Sequence, residues 1–134
     1  MQALGVIIIV KNSANKVLLG KRKNGYKPGF YGLPGGRVEN KEQLLAAAQR
    51  ELTEETSVVA RDLTYVGFVK EWQEDHFFIH FVFKCEEWTG TIACVEPEKC
   101  EAWEWFPIDK LPSPLVPGHL GITLLQSDIP FIEL

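Results

Sequence analysis

The stretch GRVENKEQLLAAAQRELTEETSV, from Gly36 to Val58, discloses more than any other part of the chain. Good helix formers run through it without a proline. Asn40 followed by Gln43 has capping-box spacing, the Asn side chain taking one orphan backbone N–H and the Gln reaching back to another. The pattern predicts a helix from about Lys41 through Glu55, with a change to strand at Val58-Val59. At roughly 100° per residue, Leu45, Ala48 and Leu52 gather in one apolar sector, while Glu51, Glu54 and Glu55 occupy the neighbouring one. These carboxylates stand at i, i+3 and i+4, where like charges repel. They also lie in the last turn, where the backbone carbonyls already present negative partial charge. Such a face is either solvated or neutralised by a bound cation. Mg²⁺ suits the second case, because it takes carboxylate and carbonyl oxygens and keeps waters that substrate phosphates replace.

Upstream of the helix, Leu33-Pro34-Gly35-Gly36 offers paired glycines, which let the backbone approach a ligand closely. Lys21, Arg22 and Lys23 gather three positive charges nearby, either a phosphate clamp or an ordinary strand-end cluster. Ala3 to Val10 is almost continuously apolar, Asn12 to Asn15 supplies turn chemistry, and Lys16 to Gly20 resumes an apolar run, which predicts a hairpin with a buried first strand. The glycines and prolines between Lys21 and Gly36 predict a structured loop. Downstream, Leu63 to Val69 and Cys100 to Phe106 read as strands. His76 to Phe83 alternates between a Phe77/Ile79/Phe81/Phe83 face, expected in the core, and a half-polar His76/Phe78/His80/Val82 face. Leu120 to Gln126 reads as a short closing helix. Strands on both sides of one central helix predict an α/β sandwich with a mixed sheet.

The chain has 134 residues, which at about 150 residues per domain predicts one domain over 1–134. Its 14 Lys and Arg against 18 Asp and Glu give a charge of −4, against the basic stripe a nucleic-acid polymer demands. Its apolar runs fall short of the about 20 residues that cross a bilayer, so no membrane partner is expected. No basic residue precedes the first apolar run, so the expected location is the cytoplasm. Cys85, Cys94 and Cys100 lack C-x-x-C spacing and read as reduced thiols. No H-E-x-x-H, G-x-S-x-G or P-loop string occurs.

Gly36, Glu42, Arg50, Glu51, Leu52, Glu54, Glu55 and Val58 match the Nudix box, G-x5-E-x7-R-E-U-x-E-E-x-G-U with U aliphatic, and the chain therefore resembles the Nudix hydrolases. One fixed position departs: Ser57 stands where the box has its last glycine, which touches the helix exit and removes no carboxylate. Leu18 to Arg22, Leu33 to Gly36 and Val95 to Trp105 extend the likeness to the MutT-homologue nucleotide triphosphate diphosphatases.

The resemblance implies a Nudix α/β/α sandwich with a mixed β-sheet. It also implies a Mg²⁺ (or Mn²⁺) ion held by Glu51, Glu54, Glu55 and the carbonyl of Gly35. Glu51 becomes the general base, with Glu98 or Glu96 as helper or extra ligand, while Arg50 orients the glutamates and Glu42 is its ion-pair partner. Arg22 and Gly36 fall on the substrate phosphates. Phe78 and His80 fall on a strand lining the base pocket, whereas Trp103 and Trp105 read as core or dimer packing. The implied reaction cleaves a (deoxy)nucleoside triphosphate, including oxidised or modified ones, to monophosphate and pyrophosphate. Hydrolysis of ADP-ribose, NADH or another linked nucleoside diphosphate uses the same helix. A reading of another class is a non-catalytic nucleotide-binding module, which would be expected to lack a metal glutamate. Many relatives are homodimers, and the same is implied here.

Overall fold

The computed structural model describes residues 2–134. In chain order its elements are β1 (Gln2–Val10), β2 (Lys16–Arg22), β3 (Tyr31–Gly32), β4 (Gly35–Arg37), α1 (Leu44–Thr56), β5 (Val59–Ala60), β6 (Thr64–Gln73), β7 (His76–Cys85), β8 (Trp88–Thr89), β9 (Cys100–Pro107), a 3₁₀ helix (Pro117–Gln126) and β10 (Phe131–Glu133).

β1 is nearly all apolar because both of its faces are covered. Val6, Ile8 and Val10 pack with Ala47, Ala48 and Leu52 of α1. Ile7 and Ile9 point the other way, into a cluster with Val69, Val82 and the 3₁₀-helix residues Ile122 and Leu124. The five-stranded sheet has the order β10-β6-β7-β1-β4. β1 runs parallel to β7 and antiparallel to β4, and β10 runs parallel to β6. The expected α/β sandwich with a mixed sheet is thus the observed architecture. No helix among the described residues is long and apolar enough to cross a membrane.

Several expectations need correction. β1 and β2 do not form a hairpin within one sheet: β2 joins β3 and β9 in a separate sheet. The Asn12 carboxamide oxygen accepts the N–H groups of Ala14 and Lys16 at 3.0 Å each, turning the chain out of the first sheet after a single bridge from Lys11 to Val17. Nor does the capping box form. α1 starts at Leu44, and its N-cap Gln43 makes no side-chain cap bond. Lys41 has φ 66°, which cannot continue a helix. Glu42 instead closes the preceding turn by accepting the Glu39 N–H at 2.9 Å.

Leu45, in phase with Leu52, is 54% exposed, and Leu44 takes the packing position against the core. The half-polar face of β7 carries the buried Phe78 and Val82, Val82 packing with Ile122 and Leu124 of the 3₁₀ helix, whereas on the face expected in the core only Phe83 is buried and Phe77, Ile79 and Phe81 are half-buried. The expected closing helix is present, ends at Gln126 as expected, is of the 3₁₀ type and starts earlier, at Pro117. β6 runs four residues beyond the expected Val69, which brings Glu71 into the sheet. The three cysteines are free thiols, as expected.

Ser57 keeps the left-handed conformation that the box glycine would supply, with φ 70° and its N–H donating to the Thr53 carbonyl at 3.0 Å. Its hydroxyl donates to the Thr91 carbonyl at 2.8 Å, which offsets part of the cost of a side chain there. Ser57→Ala keeps that cost and loses the bond, so denaturant unfolding should show it about 1 kcal/mol less stable. Ser57→Gly loses the bond and the strain together and should stay within about 0.5 kcal/mol of the parent.

Candidate active site

In the β1–β4 ladder the Ile8 N–H donates to the Pro34 carbonyl at 2.8 Å and the Val38 N–H to the Leu4 carbonyl at 3.0 Å. Antiparallel alternation then turns the polar groups of Gly35 and Arg37 away from β1. Both are met from α1: the Gly35 N–H donates to Glu55 Oε1 at 2.9 Å, and Arg50 Nη2 donates to the Arg37 carbonyl at 3.0 Å. Gly36 lies flat beneath Glu51, and a Cβ on Gly36 would collide with that carboxylate. Gly36 thus lets α1 lower its acidic edge onto the strand, whereas a Cβ on Gly35 would strike the Val6 carbonyl of β1.

Arg50 organises that edge. Its Nε and Nη2 donate to the two oxygens of Glu42 at 2.7 and 2.9 Å, and its Nη1 reaches Glu51 at 2.9 Å and Glu54 at 3.2 Å. The hydrogen bonds from Arg50 and from the Glu39 N–H pull the Glu42 carboxyl down to about 2. Burial raises the Glu51 carboxyl, with Arg50 opposing and Glu54 adding to the rise. Glu55 is pushed further, to about 8, chiefly by burial; the Gly35 N–H opposes this, and Glu51 and Glu96 reinforce it.

These groups open into a cavity of about 400 Å³ lined by Arg22, Gly35, Gly36, Arg37, Glu51, Glu55, Lys99 and Trp103, among others. A second cavity, of about 280 Å³, shares Arg22, Gly32, Leu33, Gly35, Gly36 and Arg37 with the first. It continues between β1, β6 and β7 to Tyr26, Glu71, Phe78 and His80. Phe78 and His80 lie parallel, with ring centroids 5.7 Å apart, and the Arg37 guanidinium sits 5.3 Å from the Phe78 centroid. One end of the joined space is acidic and cationic, the other aromatic.

The fold therefore brings together Glu51, Glu55, Gly35, Gly36 and Arg22 at one end, and Phe78 and His80 at the other. Glu54 is exposed and held on Arg50. Glu98 is not brought in: it is exposed, and its carbonyl accepts a bond from the Asn24 side chain. Glu96 stands on that side instead, beside Glu55 and paired with Lys99 at 3.3 Å. Of the three basic residues at the end of β2, only Arg22 lines the cavities; Lys21 pairs with Glu101 at 3.8 Å and Lys23 is exposed. Trp103 is not simply core, since it lines the first cavity while its Nε1 donates to the Glu55 carbonyl at 3.1 Å. Trp105 stacks on Trp88.

Sequence reading missed Arg37, Lys99 and Glu71. The available signal for Glu71 was its phase: it follows Val69 by two residues and so points to the same face of its strand.

Among the described residues no three His, Cys, Asp or Glu side chains already converge on one point. The donor chemistry nonetheless fits a hard divalent cation. Glu55 is a half-buried carboxyl raised chiefly by burial and further by its neighbours Glu51 and Glu96, Glu51 lies beside it, and the outward Gly35 carbonyl adds a neutral oxygen.

A family model described as "NUDIX domain" matches residues 1–125. The oxidized purine nucleoside triphosphate hydrolase of Danio rerio is 31% identical over 114 residues, covering 81% of this chain and 68% of that protein. A putative 8-oxo-dGTP diphosphatase of Bacillus subtilis is 32% identical, covering 89% and 76%. Among solved structures, a MutT NUDIX hydrolase from Burkholderia pseudomallei superposes with a TM-score of 0.89 at 27% identity, covering 93% of this chain and 98% of that one.

Proposed function

Because the chain belongs to the NUDIX domain family, whose hydrolases generally use a divalent metal and act on small nucleotides, we propose that it cleaves a (deoxy)nucleoside triphosphate to monophosphate and pyrophosphate, oxidised or otherwise modified nucleotides included. The observation that carries this reading is the joined pair of cavities, acidic and cationic at one end and aromatic at the other, with Arg22 and Arg37 lining both. A nucleotide has the same polarity. The triphosphate hydrolase of Danio rerio and the putative 8-oxo-dGTP diphosphatase of Bacillus subtilis, as relatives, support the triphosphate over a linked diphosphate.

Glu51, Glu54, Glu55 and the Gly35 carbonyl are the proposed ligands of Mg²⁺ or Mn²⁺. What the cation supplies when bound is neutralisation of polyphosphate charge and a more acidic water. Glu51 takes the proton of the attacking water, with Glu96 as its neighbour on the far side of Glu55. Arg50, fixed by Glu42, holds Glu51 in place and acts only through it. Arg22, Arg37 and Lys99 receive the phosphate oxygens. Phe78 and His80 receive the base.

The test is a substrate panel with Mg²⁺: nucleoside triphosphates, 8-oxo-dGTP, ADP-ribose and NADH, with phosphate and nucleotide products identified. The expected products are a monophosphate and pyrophosphate from triphosphates, at a kcat/KM above that for every linked diphosphate. Preference for ADP-ribose or NADH over all triphosphates would overturn the reading. Tight binding with no turnover of any substrate would favour a binding module.

A further inference from the structure

Glu71 is a carboxylate at a position where the strand calls for an apolar side chain. It follows Val69 on the inward face of β6, and its side chain is 4% exposed. Burying a carboxylate is costly unless its oxygens are bonded, and an apolar residue would serve packing at least as well.

The partners given to it are lopsided. Oε1 accepts His80 Nε2 at 2.7 Å and Gln73 Nε2 at 3.3 Å, whereas Oε2 has only the Tyr26 hydroxyl at 3.4 Å. Burial raises the Glu71 carboxyl, but the bonds from His80, Gln73 and Tyr26 outweigh it and keep the group below the ordinary carboxylate range. An ionised carboxylate only accepts, so His80 Nε2 must carry the hydrogen.

Gly5 lies opposite His80 across β1 and β7, and a Cβ there would stand 3.1 Å from His80 Nδ1. The missing side chain leaves the imidazole room to lie parallel to Phe78. Glu71 faces Phe78 in the β6–β7 register, and all of these residues line the second cavity. The result is a flat aromatic wall beside a fixed anion with one oxygen underused.

We propose that Glu71, oriented by His80, is the specificity-determining residue of this cavity and selects a planar ligand edge that presents two adjacent N–H donors. This rests on the reading of the second cavity as the base end of the site. Among the ordinary bases guanine has such an edge, in its N1–H and 2-amino group. Adenine and cytosine place an acceptor nitrogen beside their amine, and uracil and thymine flank one N–H with two carbonyls, so each would set an acceptor against the carboxylate. Substitution at guanine C8 leaves the selected edge unchanged. A site built to receive a donor rejects an analogue that lacks it far more strongly than an apolar pocket rejects a shape.

Equilibrium binding of GMP, IMP and AMP to the full chain with Mg²⁺, followed by calorimetry, tests this without any need for turnover. IMP is GMP without the 2-amino group. GMP is expected to bind at least about tenfold more tightly than IMP or AMP. Glu71→Gln, whose amide would turn a donor toward the ligand, is expected to weaken GMP by at least about tenfold and bring the three within about threefold of one another. IMP or AMP binding the parent chain within threefold of GMP overturns the proposal, as does no binding of any of the three. Because the parent comparison needs no variant, it can overturn the proposal even where Glu71→Gln fails to fold, and a folded Glu71→Gln that keeps the parent's preference for GMP overturns it as well. Base discrimination without hydrolysis would sink the proposed function and leave this assignment standing; hydrolysis without base discrimination would do the reverse.

Discussion

Glu55→Gln is expected to lower kcat for Mg²⁺-dependent nucleotide hydrolysis on the order of 10³-fold, while making the metal-free protein more stable at neutral and alkaline pH. The two effects have one cause. Glu55 sits where burial pushes its carboxyl from 4.5 to about 8, with Glu51 and Glu96 adding to the rise. A group whose folded pKa lies above its unfolded value contributes stability that is full below the unfolded value and is lost as pH rises through the folded one. Between about pH 4.5 and 8 the metal-free parent should therefore lose melting temperature with rising pH. Glutamine keeps the acceptor for the Gly35 N–H and has no proton to lose, so its profile over the same window should be flatter. Added Mg²⁺ should raise the melting temperature of the parent most at the upper end of the window and that of Glu55→Gln little. Equal pH slopes in the two proteins would show that Glu55 is not the strained group.

Arg50→Lys is expected to cost about 10- to 100-fold in kcat/KM, although it preserves the charge. The guanidinium binds both oxygens of Glu42, one of Glu51 and both of Glu54 while also donating to the Arg37 carbonyl. A lysine ammonium has three donors and no planar fork, so it cannot hold Glu42 and Glu51 at once. A second readout separates this positioning role from a general loss of fold. The Glu42 carboxyl is lowered to about 2 by Arg50. Such a group contributes stability above its unfolded pKa that is lost as pH falls from about 4.5 through about 2. Arg50→Lys should thus unfold at higher pH than the parent during acid titration. A parent-like kcat/KM in Arg50→Lys would show that Glu51 holds its place without the fork.

What the sequence discloses follows from how local its physics is. The spacing of Arg50, Glu51, Glu54 and Glu55 is a property of one helix, and the acidic edge stands where that spacing puts it. The continuous apolar run of β1 announces a strand covered on both faces, although not which neighbours cover it. Three kinds of feature escape. Asn12 diverts β2 into a second sheet through side-chain bonds that a turn composition does not specify. Lys99 and Arg37 reach the cavities from segments far apart in the chain, so their convergence exists only in the folded state. Glu71 was hidden because β6 was expected to end at Val69, and only pairing with β7 carries the strand on to Gln73.

The most direct measurement is a Mn²⁺ titration followed by the electron paramagnetic resonance signal of free Mn²⁺, on the parent and on Glu55→Gln, with and without nucleotide. Saturable uptake by the parent, strengthened by nucleotide and lost or greatly weakened in the variant, is the expected result. Equal uptake by the two proteins, or none by the parent even with nucleotide present, would contradict a cation held between Glu51, Glu55 and the Gly35 carbonyl.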